Sequence, residues 1–262
     1  MVKWDINPEI FRIGFFALRW YSLMFMCAFI SGYYILYKIF KLENKPSEDV
    51  SRILIYVFWG TLIGARLGHC LFYDPAFYLS HPLEILKVYH GGLASHGAAI
   101  GIFISLYLFV KRSPGYSYLW LFDRLVIPIA LAASFVRIGN LFNSEIIGKP
   151  TNLPWSFVFE RVDMIPRHPT QIYEALAYFI IFLLLFRYYK RNRSNIHPGY
   201  ILGWFFVGMF TFRFLVEFLK ENQSAFESHI PLDMGQWLSI PIIIIGLYLI
   251  IRAKNTTKVK SI

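Results

Sequence analysis

Seven long apolar runs restrict the fold of this chain more than any other feature. They lie at residues 20–37, 53–72, 94–110, 119–136, 172–186, 200–218 and 237–251. A membrane-crossing helix needs about 20 mostly apolar residues, and the shorter runs come close to that length. The chain is 56% hydrophobic and only 16% charged, which is typical of polytopic membrane proteins. We therefore predict an all-α polytopic membrane protein, a seven-helix transmembrane bundle that forms one domain over residues 1–262.

The N-terminal residues 1–19 mix aromatic side chains such as Trp4 and Phe11 with charged ones such as Asp5 and Arg12. This mixture predicts a short N-terminal interfacial segment at the membrane surface. The start lacks the basic end, short apolar core and cleavage site of a removable signal peptide. We therefore expect the first span to be retained.

The two cysteines, Cys27 and Cys70, both fall within apolar runs. They form no disulfide framework, and no cluster of cysteines, histidines or carboxylates has the spacing of metal ligands. We expect no metal and no cofactor, and we interpret both thiols as small apolar-facing residues.

The net charge of +10 comes mainly from short basic clusters between the apolar runs. The clusters on one side are Lys38, Lys41, Lys45 and Arg52; Lys111 and Arg112; Arg187, Lys190, Arg191 and Arg193; and Arg252, Lys254, Lys258 and Lys260. Such clusters mark cytoplasmic loops, which predicts an outside N-terminus and a cytoplasmic C-terminus. The outward-facing loops are then 73–93, 137–171 and 219–236. Because the basic residues are not massed in one stripe, we expect no nucleic-acid partner.

The longest outward loop begins with R-I-G-N-L-F-N-S-E-I-I-G at residues 137–148. Polar groups at the end of a membrane span are costly and need a reason to persist. In one continuous helix, Asn143 and Glu145 would point away from Arg137, so a shared site predicts that the helix stops near Gly139. A loop dipping back toward the membrane would follow. The alternative is a helix cap with a neutralised Arg–Glu pair.

A second polar motif, H-G-G-L-A-S-H-G-A-A-I-G, occupies residues 90–101 at the outer start of the third run. Its glycines allow close backbone approach around His96, a side chain that exchanges protons near neutral pH. Two interpretations are open, a proton-transfer site or a glycine-rich helix contact with a hydrogen-bonded histidine.

A third motif, R-H-P-T-Q-I-Y-E, lies at residues 167–174, ahead of the fifth run. Pro169 and Thr170 are typical of a helix start, with Thr170 as the capping residue. The motif is interpreted either as a cap with interfacial anchors or as part of a catalytic site.

Four further polar positions lie within or beside the spans. Arg213 and Glu217 are spaced i,i+4 in an apolar run, so they share a helix face and can neutralise each other. Intramembrane charges usually face a bundle interior or an aqueous cavity, which favours a functional role. Arg66 in the second run joins this group, and Tyr21 is either a site residue or an interfacial belt residue.

Arginines in a low-dielectric setting are suited to hold a phosphate through paired hydrogen bonds. A histidine is suited to take a proton from a thiol or a hydroxyl. Together these residue types predict transfer chemistry on a lipid phosphate.

At this level of detail the chain resembles the bacterial prolipoprotein diacylglyceryl transferases. The motifs R-I-G-N-L-F-N-S-E-I-I-G, G-G-L-A-S-H-G, R-H-P-T-Q-I-Y-E and R-F-L-V-E-F match family motifs in the family's order, over nearly the whole chain. The resemblance implies an inner-membrane enzyme that transfers the diacylglyceryl group of phosphatidylglycerol to the lipobox cysteine of prolipoproteins. A thioether forms and glycerol phosphate is released. The implied partners are phosphatidylglycerol, prolipoprotein lipobox peptides and the lipid bilayer.

The resemblance also implies which residues act. The catalytic candidates are Tyr21, His96, Arg137, Asn140, Glu145, Arg213 and Glu217, and the candidates that bind phosphatidylglycerol are Arg66, Arg137, Asn143, Gly148 and Arg213. The chain departs from the family at Ala94, Ser95, Ala98 and Leu141, which affects the expected shape of the lipid pocket but not its chemical groups.

In the expected mechanism, His96 accepts the thiol proton and the thiolate attacks the glycerol carbon that carries the phosphate. Arg137 and Arg213 hold the phosphodiester and stabilise charge on the departing oxygen. The two asparagines orient the head group, the two glutamates position the arginines or the glycerol hydroxyls, and Tyr21 donates to a phosphate oxygen or shapes the entrance.

Other functional classes make different demands on the sequence. A transporter of an anionic metabolite would more often show two related halves with broken helices, which this sequence lacks. A lipid-binding scaffold explains the basic and aromatic residues but gives little reason for His96 among glycines. A different phospholipid transferase would differ in its acceptor.

Overall fold

The computed structural model of the chain describes residues 1–14, 16–87, 91–221 and 232–259, and it is mostly helical. In these ranges the α-helices are α1 (Trp20–Leu42), α2 (Glu48–Phe72), α3 (Pro75–Ser80), α4 (Ser95–Arg112), α5 (Tyr118–Asn143), α6 (Thr170–Asn192), α7 (Tyr200–Glu217) and α8 (Met234–Val259). Each of the seven apolar runs overlaps one of the long helices. Most of these helices extend beyond their runs, because backbone hydrogen bonding continues into polar flanks that hydropathy does not report.

Within the described residues, six helices are long and apolar enough to cross a membrane: α1, α2, α5, α6, α7 and α8. This number identifies a multi-pass membrane protein, the class predicted from the sequence. Helix α4 is not among the six, since its 18 residues include His96 near one end and Lys111 and Arg112 at the other. The crossing of α4 stays a prediction.

The remaining regular structure is a set of short strands, β1 (Val2–Trp4), β2 (Glu9–Ile13), β3 (Phe16–Arg19), β4 (Phe157–Phe159) and β5 (Pro166–Arg167). Strand β1 pairs parallel to β4, which pairs antiparallel to β5, while β2 and β3 form a hairpin. The predicted interfacial segment is thus built from strands. Hydropathy does not predict them, because their partners come partly from the distant loop after α5.

These elements form two compact units. The first comprises Met1–Leu36 and Phe122–Ile262, and the second comprises Tyr37–Leu121. The first unit holds both sheets, most of α5, and α6 to α8, whereas the second holds α2, α3 and α4. That the chain is a single domain stays a prediction.

In the second unit, α2 and α4 meet along their glycines. A Cβ atom built at Gly68 would lie 2.7 Å from the Cα of Gly97, and one at Gly64 would lie 2.8 Å from the Cα of Gly101. These distances leave no room for a side chain, so the two backbones are in direct contact.

In the first unit, α5 fixes the start of α7 through Asp123. This fully buried carboxylate accepts hydrogen bonds from the backbone N–H groups of Gly199 (2.7 Å) and Leu202 (2.8 Å). The first N–H groups of a helix have no partner within the helix, so a carboxylate there satisfies them and stabilises the helix dipole. The contact helps to set where α7 begins and, with its length, where it ends near the candidate site.

Candidate active site

The chain reverses direction immediately after α5. Our prediction that this helix stops near Gly139 is wrong, because α5 continues to Asn143. Ser144 and Ile146 then have φ angles of 55° and 58°, in the left-handed region that L residues rarely adopt. The reversal returns Glu145 to the last turn of the helix. The sharp turn thus brings Glu145 to the other polar residues of the motif, as an early helix end was expected to do.

Two asparagines of that last turn hold Glu145. Asn140 Nδ2 donates to Glu145 Oε1 at 2.7 Å, and Asn143 Nδ2 donates to the same oxygen at 3.2 Å. Asn140 Oδ1 in turn accepts a hydrogen bond from Arg137 Nη1 at 3.1 Å. The predicted residues of this motif therefore form one hydrogen-bonded chain, which runs from the exposed Glu145 through the buried Asn140 to Arg137.

Gly139 lies within α5, where it makes room for the ring of Tyr21. A Cβ atom at Gly139 would lie 2.7 Å from Cδ2 of Tyr21, the second residue of α1. The absent side chain lets the tyrosine ring pack directly on α5, one turn from Asn143. The structure thus places Tyr21 beside the motif at the end of α5.

Glu174 is the acidic partner of Arg137. Its side chain is fully buried in α6, and Oε2 lies 3.0 Å from Arg137 Nε. This is an ion-pair distance without hydrogen-bond direction, because Oε2 accepts no hydrogen bond from any residue that the structure describes. Glu174 Oε1 accepts hydrogen bonds from the Tyr178 hydroxyl at 2.8 Å and from Lys220 Nζ at 3.1 Å. An Arg–Glu pair does exist, but its glutamate comes from α6 and not from residues 137–148.

Lys220 extends this cluster to the end of α7. Its amino group also lies 3.1 Å from Glu217 Oε2, and its side chain is only 3% exposed. The i,i+4 spacing predicted that Glu217 pairs with Arg213. Among the described residues, Glu217 instead pairs with Lys220. The lysine follows the helix end, where the turning backbone lets it reach two buried carboxylates that need a cation.

Arg213 is half-buried on α7, and no ion pair joins it to another described residue. Its charge and that of Arg137 both act on the Tyr178 hydroxyl. Arg137 and Lys220 contact the buried carboxylates of Glu174 and Glu217, and Arg213 lies on α7 one turn before Glu217. Because Arg213 forms no ion pair with another described residue, it is suited to bind an anionic ligand such as a phosphate.

Thr170 and Gln171 fix the turn after α5 from the start of α6. Thr170 Oγ1 donates to the carbonyl of Ile146 at 2.9 Å, and Gln171 Nε2 donates to the carbonyl of Glu145 at 2.7 Å. Thr170 was predicted to cap α6, but it is the first residue of the helix and makes no capping bond. Its hydroxyl instead ties the helix start to the left-handed turn.

Gly148 lies where three chain segments meet. Its N–H donates to the carbonyl of His168 at 3.0 Å, and a Cβ atom would lie 2.5 Å from that same oxygen and 2.9 Å from the carbonyl of Leu219. No larger residue fits between these backbones. Gly148 therefore positions the turn. Its contact with phosphatidylglycerol stays a prediction.

Arg167 braces this junction from outside the helices. Its Nη1 donates to the carbonyl of Gly148 at 3.2 Å and to Glu221 Oε1 at 2.6 Å, while Nη2 donates to Asp163 Oδ2 at 2.6 Å. The hydrogen bonds between Arg167 and Asp163 stabilise the charged form of both groups. They therefore lower the pKa of Asp163 and raise the pKa of Arg167. Desolvation lowers the pKa of the neighbouring His168.

His96 and Arg66 belong to the second unit. The exposed ring of His96 stacks on Tyr73 with centroids 5.8 Å apart and contacts the edge of Phe72 at 5.5 Å. The close glycine contact of α4 is confirmed, but no described residue hydrogen-bonds to His96, and its role in proton transfer stays a prediction. His90, at the start of the motif, lies outside the described residues.

Arg66 is buried and binds main-chain carbonyls. Its guanidinium donates to the carbonyls of residues 84, 85, 87, 91 and 92 at 2.5 to 3.3 Å. It therefore holds the described residues 84–87 and 91–92, which lie between α3 and α4. Its predicted role in binding phosphatidylglycerol stays a prediction.

Comparison with known proteins decides the family. A family model described as prolipoprotein diacylglyceryl transferase matches residues 8–252. This chain belongs to the prolipoprotein diacylglyceryl transferase family. The resemblance identified from four motifs is thereby confirmed.

Individual members of this transferase family are similar over their whole length. A phosphatidylglycerol–prolipoprotein diacylglyceryl transferase of Chloroherpeton thalassium is 47% identical over 99% of this chain and 97% of its own. The enzymes of that name from Tolumonas auensis and Bacteroides fragilis are 43% identical over 96% and 97%, and 44% identical over 94% and 93%, of the two chains.

Two residues of the candidate transferase site were missed from the sequence as site residues. Glu174 was noted only as part of a helix start, and Lys220 was not singled out at all. The signal that could have found Glu174 is a carboxylate within the first turns of an apolar helix, next to a motif with an unpaired arginine. Lys220 has no such signal, because its partners are set by the turn after α7.

Proposed function

We propose that this chain transfers the diacylglyceryl group of phosphatidylglycerol to the lipobox cysteine thiol of prolipoproteins. The product is a thioether, and glycerol phosphate is the leaving group. Relatives that carry the name of this activity match nearly the full chain at 43 to 47% identity. Within the structure, one observation carries the proposal: Arg213, a cation within the apolar helix α7 and one turn before Glu217, forms no ion pair with another described residue.

The phosphodiester binds to Arg137 and Arg213 in this proposal. Glu174 and Asn140 contact Arg137 from two sides, so its guanidinium is oriented before the lipid arrives. Preorganised charge of this kind stabilises a transition state without reorganisation during the reaction. Lys220 and Arg137 pair with the two buried carboxylates, and this leaves Arg213 available to the phosphate.

The reaction breaks one bond and forms one. The substrate thiol loses its proton to His96, and the thiolate attacks the glycerol carbon that bears the phosphate. The carbon–oxygen bond breaks, and its electron pair stays on the phosphate oxygen, where the arginines stabilise it. The ring of His96 is exposed and free of hydrogen bonds from the described residues, which suits it to accept a proton.

The remaining candidates have supporting roles. Asn140 and Asn143 hold Glu145, and we propose that this group orients the glycerol head group by hydrogen bonding. Tyr21, packed on Gly139, shapes the entrance or donates to the phosphate. Gly148 keeps the turn open, because a side chain there would collide with backbone.

The membrane arrangement is also part of the proposal. Seven crossings, with α4 as the third, place the N-terminus outside and the C-terminus in the cytoplasm of a bacterial inner membrane. The basic ends of α4 and α6 support this orientation, since Lys111, Arg112, Lys190 and Arg191 all lie in last turns. The ends of α5 and α7, which carry the candidate site, then face outward.

The test measures transfer of label from radiolabelled phosphatidylglycerol to synthetic lipobox peptides by the purified protein. We expect label on a cysteine peptide and none on its serine counterpart. Arg137→Ala should lower the rate by about 100-fold or more, as for loss of a preorganised charge contact. His96→Gln should lower it by about 100-fold or more through loss of the base.

Matched controls separate these effects from general damage. Arg187→Ala removes an exposed arginine in the last part of α6, and His81→Gln removes an exposed histidine of the second unit. Both should retain the wild-type rate. Absence of label on either peptide from folded protein that binds phosphatidylglycerol would contradict the proposal, and substrate flux in vesicles without lipid turnover would identify a transporter.

A further inference from the structure

A polar cavity of 740 Å³ lies beside the candidate site in the first unit. Its charged lining consists of Asp5, Glu9, Glu145, Arg19 and Arg161. The volume falls in the range of ligand pockets, about 300–1,000 Å³. The lining comes from loops, strands and helix ends, so the cavity suits a ligand in water and not an acyl chain.

The charges of this cavity are only partly satisfied. Glu9 is occupied, since Arg12 Nε donates to it at 2.9 Å and Arg19 lies 3.5 Å away. Asp5, Glu145 and Arg161 form no ion pair with any residue in the described ranges. Of the three lining charges without an ion pair, two are carboxylates and one is a guanidinium group, which disfavours a small anion such as released glycerol phosphate. The carboxylates of the cavity fit a ligand that carries hydrogen-bond donors of its own.

Ends of strands that lie at sheet edges border the cavity. Strand β1 is the outer strand of the order β1-β4-β5 and ends at Trp4, next to Asp5. Among the described residues the hairpin of β2 and β3 has two strands, and β2 begins at Glu9. An extended peptide adds readily to such an edge, where main-chain hydrogen bonds give affinity and side-chain pockets give specificity. This feature favours a polypeptide as the occupant.

Glu145 connects the cavity to the candidate site. It lines the cavity and also accepts hydrogen bonds from Asn140 and Asn143, and Asn140 contacts Arg137. A polypeptide bound in the cavity would therefore lie next to the chain of groups proposed to hold the lipid phosphate.

We infer that this cavity binds the polar, water-facing segment that flanks the acceptor cysteine and prefers basic over acidic side chains in it. The inference rests on the proposed function, because it requires a polypeptide acceptor. Asp5 and Arg161 act as specificity residues, one attracting and the other repelling a basic side chain. Neither needs to touch the reacting atoms.

The experiment uses two cysteine peptides that differ only by lysine or glutamate at two positions just after the cysteine. The full-length protein transfers label from radiolabelled phosphatidylglycerol at a fixed concentration, and KM is measured for each peptide. We expect the wild type to favour the lysine peptide by at least about threefold, the size of an exposed ion-pair contribution. Asp5→Lys should reverse the preference, and Arg161→Gln should increase it, with the KM for phosphatidylglycerol unchanged in both.

Glu48→Gln, which removes an exposed carboxylate at the start of α2, is the matched control and should keep the wild-type preference. An equal KM for both peptides in the wild type, or a preference that Asp5→Lys and Arg161→Gln leave unchanged, would overturn the inference. A change confined to the KM for phosphatidylglycerol would overturn it too, by assigning the cavity to the lipid. Failure to label any peptide would instead contradict the proposed function.

Discussion

Helices α2 and α4 of the second unit touch through glycine backbones, whereas α5, α6 and α7 of the first unit are joined by buried charged side chains. The glycine contact has no polar side chain to satisfy and depends only on the absence of Cβ atoms at positions such as Gly64 and Gly101. The charged contact depends on every member, because Glu174 and Glu217 share Lys220 and Glu174 also pairs with Arg137.

This difference shows two uses of close helix packing. Glycines give a tight contact without strong electrostatics, which suits a supporting element. Buried charges cost desolvation energy and are kept where they have a function, such as binding an anionic substrate. The comparison predicts that removing one charge damages the protein more than adding one methyl group to a glycine contact.

The largest effect is expected for Lys220→Met, which removes the described cation partner of Glu217 and one of the two cation partners of Glu174. Breaking a buried ion pair by removing one partner costs about 3–5 kcal/mol. The free energy of unfolding in detergent, from chemical denaturation, would measure this loss. The double variant Lys220→Met, Glu217→Gln removes the carboxylate that the single variant leaves without a cation, so it should be more stable than the single variant. Equal stability of the two variants would contradict the paired cluster.

A smaller loss is expected for Gly101→Ala on α4. The added Cβ atom would collide with the carbonyl oxygen of Gly60, and such overpacking costs about 1–3 kcal/mol. Gly208→Ala on α7 is the control, since its nearest neighbours are flexible atoms of Ile181 at 3.4 Å and beyond. If both variants unfold at the same denaturant concentration, the α2–α4 contact is not as close as described.

Asp163→Asn tests whether burial, and not charge alone, sets the cost. Asp163 binds Arg167 through hydrogen bonds of 2.6 to 3.2 Å, but its side chain is 27% exposed. We expect a loss of about 1 kcal/mol, the net contribution of an ordinary hydrogen bond. Glu160→Gln, whose partner Lys3 is 4.0 Å away, should change stability by less than about 0.5 kcal/mol. If Asp163→Asn lowers the free energy of unfolding as much as Lys220→Met does, burial does not set the cost of removing a charge.

The smallest effect concerns the pH dependence of stability. Because desolvation lowers the pKa of His168 in the folded protein, the unfolded chain binds the proton more tightly. The stabilisation is therefore complete above the unfolded pKa of about 6.5 and is lost as pH falls through that value toward the folded pKa. The unfolding temperature should fall from pH 7.5 to pH 5.5 slightly less in His168→Gln than in the wild type. An identical fall in both proteins would contradict this assignment.

Much of the helical fold was predictable from hydropathy. The seven runs overlap helices, and six of these are long and apolar enough to cross a membrane. The error at Gly139 has a specific cause, since periodicity cannot show that Ser144 and Ile146 adopt left-handed conformations after Asn143. The strand pairing of residues 2–4 with residues 157–159 was not predictable either, because it joins segments far apart in the chain.

The candidate site was predictable in its membership more than in its contacts. Arg137, Asn140 and Glu145 do form one hydrogen-bonded chain, as a shared motif implied. The i,i+4 spacing of Arg213 and Glu217 instead indicated a pair that the structure replaces with Glu217 and Lys220. Spacing on one helix shows which residues share a face, but it does not show which neighbours compete for them.

The sequence alone determined that this chain is a helical membrane protein of the prolipoprotein diacylglyceryl transferase family and that its polar groups collect at helix ends. These are properties of composition, local pattern and motif order, which need no knowledge of contacts. The tertiary structure decided that Glu174 holds Arg137, that Lys220 joins two carboxylates and that a polar cavity borders Glu145. Such contacts depend on which helix ends and loops meet in space, and this follows from packing across the whole unit.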